Sequence, residues 1–120
     1  MIEESFVSFD TAKLLKESGF HIPCIKVYNK YSKNLAAWSY PADSNLHTRY
    51  YSAPTQALAA RWLREKHNID VIVIPCEDGC YVYDILHDKH RIASSIPFQG
   101  SYEGVLELGL CMAIKLIKKQ

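Results

Sequence analysis

The chain has 120 residues, 48% apolar and 22% charged, with 14 Lys and Arg against 13 Asp and Glu for a formal charge of +1. That much apolar material offsets the entropy of ordering, which excludes a mainly disordered chain, and roughly two-thirds of the unfolded surface can be buried without disulfides or metals. The even charge balance produces no long-range field toward nucleic acid or an anionic membrane, although it permits a local basic patch.

The N-terminus, Met1-Ile2-Glu3-Glu4, is acidic and polar, the opposite of a signal peptide's basic start and apolar core. The longest purely apolar run, Leu110 to Ile114, is far shorter than a membrane span. The four cysteines are therefore predicted to be reduced thiols in a cytoplasmic protein with no membrane partner.

In chain order, residues 6–20 read as a helix. Ser8 caps it, Val7 packs on Ala12 as a hydrophobic staple, and Gly19 ends it so that Phe20 folds back on Leu15. Pro23 then forces extended chain. Residues 24–31 alternate, with Ile25 and Val27 predicted inward and Lys26, Tyr28 and Lys30 outward. Ser32-Lys33-Asn34 is a turn, and residues 35–40 are the returning strand. Residues 41–53 form a long loop that rejoins an extended piece at Tyr50-Tyr51. Pro54 is placed in the first turn of a second helix, which buries Leu58, Ala59, Trp62 and Leu63 and stops at Asn68.

Ile69 to Pro75 is a β-branched strand, Glu77-Asp78-Gly79 a hairpin turn and Tyr81 to Leu86 the return. Residues 87–90 make another turn before a last strand at 91–96. Ser101 caps a final helix with a stripe of Val105, Gly109, Met112 and Leu116, widened by Leu106, Ala113 and Ile117. The order predicts a single α+β domain over residues 1–120, with one antiparallel sheet of four to five strands and about three helices on one face.

Three segments, residues 5–20, 52–69 and 102–117, together resemble a family of small proteins of Bacteroides-type gut bacteria and their phages or mobile elements. The resemblance runs over nearly the whole chain but rests on helices, and the family has no assigned activity. It implies a bacterial or phage protein made in the cytoplasm and carries over no functional residue.

Candidate chemistry is sparse. Cys76 and Cys80, followed by His87 and His90, have ligand types suited to tetrahedral zinc. A three-residue loop sets the two thiols opposite each other, whereas a two-residue turn sets them on opposite sides of the ribbon. Even then the histidines lie roughly 20 Å along the strand, so the default is unmetallated thiols. Glu77 and Asp78 work against a reactive thiol at Cys80. Cys24 has His21 three residues earlier, a spacing common by accident, and Cys111 suits a small apolar role in its helix. Asp70, Asp84 and Asp88 have no implied partner, and the glycines are isolated, without a phosphate loop. No catalytic residue and no cofactor are predicted.

Two surfaces remain. Lys26, Tyr28 and Lys30 on one strand face, extended by Arg49, Tyr50 and Tyr51, have the cation–aromatic mix that stacks and neutralises single-stranded nucleic acid. Trp38, Tyr40, Tyr50 and Tyr51 around the long loop have the residue types enriched in protein interfaces. Val71 to Ile74 would pair with another copy if it formed a sheet edge. The expectation is a non-enzymatic binding or accessory protein whose partner is itself or another protein. A nucleic-acid-binding module is the alternative, and a zinc protein or thiol enzyme the third reading.

Overall fold

The structure, a computed structural model, describes residues 2–118. Helix α1 spans Phe9–Glu17. It is shorter than the predicted 6–20 because the chain before the cap is extended. Phe6 bridges Thr55, and the Val7 N–H donates to the Pro54 carbonyl at 3.0 Å. The Ser8 hydroxyl accepts from the Thr11 N–H at 3.3 Å, while Val7 and Ala12 are both fully buried. At the other end Gly19 takes φ +90, a conformation that costs an L side chain strain. That lets the Phe20 N–H reach the Leu15 carbonyl at 3.0 Å and the Gly19 N–H reach Lys16 at 3.2 Å, satisfying the last carbonyls.

Strands β1 (Cys24–Asn29), β2 (Leu35–Ala42) and β3 (Tyr50–Ser52) form a three-stranded antiparallel sheet in the order β2-β1-β3. Helix α2 (Gln56–His67) follows, capped by Thr55, whose hydroxyl accepts from the Leu58 N–H at 3.1 Å. Pro54 thus precedes the cap rather than filling the first turn. Asn68 closes the helix in the left-handed conformation, as its sequence suggests. Strands β4 (Ile69–Pro75), β5 (Cys80–His87), β6 (His90–Ser94) and β7 (Phe98–Gln99) make a second antiparallel sheet, with β4 and β6 flanking β5 and β7 pairing with its start. Helix α3 (Tyr102–Lys118) begins at Ser101, whose hydroxyl accepts from the Gly104 N–H at 3.0 Å.

The α+β class stands, but the single sheet does not: there are two. The β-rich segments before and after α2 never pair with each other. One buried cluster joins them, drawing on α1, α2, α3 and both sheets through Leu15, Phe20, Tyr51, Trp62, Leu63, Ile85 and Leu110. The face of α3 also differs from the predicted stripe. Leu110 and Ile114 are fully buried, whereas Met112 is exposed. Helix α3 crosses β4 and β5 so closely that a Cβ on Gly109 would stand 2.7 Å from Val71 Cγ1 and 3.3 Å from Tyr83. Among the described residues no helix is long and apolar enough to cross a membrane.

Candidate functional site

Strand β1 does not alternate as expected. Its register with β2 shifts between Cys24 and Lys26, a bulge that turns Cys24 and Val27 inward and leaves Ile25 half exposed. Tyr28 stands opposite Tyr51 on β3, and both rings meet Phe9 of α1, at 5.7 and 5.3 Å between centroids. The Tyr28 hydroxyl donates to the Val7 carbonyl at 2.8 Å, and burial, then Glu107, pushes its pKa up. Tyr28 and Tyr51 are therefore committed to packing and offer no open ring for a base.

The lysines around them keep their charge at the surface. Lys16, Lys26, Lys30 and Lys33 stand over the rings of Tyr51, Phe6, Tyr31 and Phe9, at 5.3, 5.2, 5.9 and 5.4 Å. Lys16 also donates to the carbonyls of His47 and Tyr50, at 2.5 and 3.0 Å, pinning the loop before β3. Partial burial, then the charge of Lys30, lowers its pKa.

Because neighbouring strand residues point to opposite faces, Tyr50 leaves Tyr51 and joins Trp38, 5.3 Å away edge to face. The Trp38 indole N–H donates to Ser44 Oγ at 2.8 Å. Trp38, Tyr40, Ala42, Ser44 and His47 line an open hollow of about 270 Å³. The eight surface candidates thus split into two groups. Lys26, Tyr28, Lys30 and Tyr51 share one sheet face, Trp38 and Tyr50 share the other with Tyr40 on the rim of the hollow, and the Arg49 carbonyl accepts from the Lys30 N–H at 2.8 Å.

Sequence patterning missed Asn45, which organises this loop. Its side-chain amide donates to the Phe20 carbonyl at 2.8 Å, and its oxygen accepts from the Ser52 N–H at 2.8 Å, all out of water. Nothing in its local sequence separates it from an ordinary loop asparagine.

The second hairpin combines features of both turns considered. Asp78 and Gly79 are both left-handed, as in a two-residue turn, yet Glu77 is extra. Pro75 pairs with Tyr81 and the Cys76 N–H donates to the Cys80 carbonyl at 2.9 Å, so the two cysteines stand opposite each other. Local desolvation, then the facing Cys80, raises the Cys76 thiol pKa, and Gln99 Nε2 donates to Cys80 Sγ at 3.0 Å. His87 and His90 pair at the far end of β5, around a turn whose Asp88 and Lys89 are left-handed. The four zinc candidates are therefore two pairs at opposite ends of one strand, and among the described residues no group of three or more metal-ligating side chains forms. Cys24 is buried. Its thiol donates to the Ile22 carbonyl at 3.3 Å, and burial, then nearby Asp43, pushes its pKa up to about 11. That is the opposite of an activated nucleophile.

Strand β4 is the other exposed feature. Among the described residues it pairs with β5 alone, in unbroken register from Ile69 to Pro75, and has no backbone hydrogen bond outside that ladder. Its alternate residues divide cleanly. Val71 and Val73 pack toward the core under α3, while Ile72 and Ile74 point away and remain 41% and 39% exposed. Val82 on β5 lies opposite Ile74 and extends this apolar face.

Comparison with protein families, curated proteins and solved structures returned no match to this chain.

Proposed function

We propose that the chain is a non-enzymatic binding protein that associates with a second copy of itself through the free edge of β4. The observation that carries this reading is the strand itself. Seven residues, Ile-Asp-Val-Ile-Val-Ile-Pro, form a sheet edge with one charge, no lysine and no bulge. Edge strands are ordinarily protected by charges, bulges or proline, and here Asp70 and Pro75 stand toward the ends and leave Val71 to Ile74 between them unguarded. The strand is also self-complementary. Antiparallel pairing of two copies about Ile72 sets Ile72 against Ile72 and Asp70 against Ile74, so no like charges meet. The uncovered Ile72, Ile74 and Val82 then continue from one copy to the next, giving an isologous, closed contact.

Amide exchange reads this pairing directly. The β4 amides that point away from β5 are expected to exchange more slowly as protein concentration rises, while those bonded to β5 stay unchanged. Exchange at β4 that is independent of concentration contradicts the proposal.

A further inference from the structure

The tip of the β4–β5 hairpin brings two thiols together. Cys76 and Cys80 are both extended, at φ −120 and −90, so the alternation of the two strands continues through them. Cys76 therefore follows Ile74, and Cys80 precedes Val82, on the open face of the second sheet. The Cys76 N–H donates to the Cys80 carbonyl at 2.9 Å, which sets the two residues opposite each other. Opposed residues bonded in this way have Cα atoms roughly 5.5 Å apart, inside the window of about 4.4–6.8 Å that a disulfide spans. The backbone thus already stands at disulfide spacing.

The two thiols are not equivalent. Cys76 is exposed and Cys80 half-buried, so a reagent meets Cys76 first. Gln99 Nε2 donates to Cys80 Sγ at 3.0 Å, which keeps the reduced sulfur hydrogen-bonded. Joining the pair closes a ring over three intervening residues, Glu77, Asp78 and Gly79, already held in a tight turn. A cross-link over so short a loop removes little entropy from the unfolded chain. With the reduced form hydrogen-bonded and little constraint gained, such a bond is readily opened again, which suits a reversible modification rather than a structural staple. Cys24 and Cys111 belong to other elements, β1 and α3, and Cys24 is buried against the Ile22 carbonyl.

We propose that Cys76 and Cys80 form a reversible intramolecular disulfide by exchange with a low-molecular-weight disulfide. Cys76 loses its proton and its sulfur bonds to one sulfur of the small molecule, whose S–S bond breaks and whose other half leaves and is protonated to a thiol. Cys80 then loses its proton, attacks the Cys76 sulfur and expels the second half as another thiol. The protein pair gives up two electrons and two protons, and the small disulfide gains both. The raised pKa of Cys76 keeps its thiol protonated near neutrality, so the exchange is slow there and quickens as pH rises. None of this depends on association through β4, and dilute protein tests it alone.

The test is incubation of the dilute native chain at about pH 9 with bis(2-hydroxyethyl) disulfide, an uncharged reagent that Glu77 and Asp78 do not repel, followed by acid quenching, mass spectrometry and peptide mapping. The expected product is a single chain about 2 Da lighter, the loss of two hydrogens, with Cys76 and Cys80 both closed to alkylation. Excess dithiothreitol is expected to restore the starting mass. Cys80→Ser is expected to stop at a mixed disulfide on Cys76, since the second attack is removed. That change lies at the hairpin tip, and circular dichroism checks that the variant is folded. A native chain that stops at the mixed disulfide, joins to a second chain through Cys76, or stays unreacted in excess reagent overturns the proposal. So does a folded Cys80→Ser chain that gathers no adduct on Cys76.

Discussion

Cys24 shows how a residue of reactive type is made inert. The bulge in β1 turns it inward, the Ile22 carbonyl accepts a hydrogen bond from its thiol, and Asp43 discourages a second negative charge beside it. Its folded-state pKa is raised from the ordinary 9.0 to about 11, so the fold favours the protonated thiol. The stability this represents is complete below about pH 9 and is lost as pH rises through about 11. A denaturant midpoint that falls more steeply over that window in the native chain than in Cys24→Ala is the expected result, the remaining fall coming from other groups with raised pKa values such as Tyr28. Mapping of alkylated peptides provides a second readout of the same state, with Cys76 at the exposed hairpin tip modified first and Cys24 only on unfolding. Equal rates at the two would contradict it.

At the scale of elements, punctuation was legible and pairing was not. Ser8, Gly19, Asn68 and Ser101 act as caps where the sequence places them, because capping depends on a few adjacent residues. Sheet membership depends on partners far along the chain. Periodicity shows that residues 24–29 and 69–75 are extended but says nothing about whether they share a sheet, and they do not. The β1 bulge, which exposes Ile25, likewise arises from its register with β2. The facing of Cys76 and Cys80 was one of two foreseeable outcomes, decided by where the extra residue of the turn sits. The loop of residues 41–53 hides its most consequential contact, since Asn45 ties the end of α1 to β3. Asn45→Ala orphans a buried carbonyl and a buried N–H, and a loss of about 2–4 kcal/mol in chemical denaturation is expected. A loss within experimental error would mean that water reaches both groups.

For the whole molecule, two sheets held by one core leave the halves with different surfaces. The first sheet has both faces in use, by α1 on one side and by the loop carrying Ser44 and Asn45 on the other. The second is covered by α3 on one face and open on the other, and its apolar edge is bonded on one side only. That asymmetry is the structural basis for the proposed self-association. It also explains why the proposed dimer was only conditionally legible from the sequence: the apolar run of β4 is visible there, but its position at an edge depends on pairing. The most direct measurement is sedimentation equilibrium of the native chain beside Ile72→Lys, a change at an exposed position that adds the missing edge charge. The native chain is expected to shift from one-chain to two-chain mass with rising concentration, and Ile72→Lys to remain at 13.7 kDa. A native chain that holds that single-chain mass throughout would contradict the account.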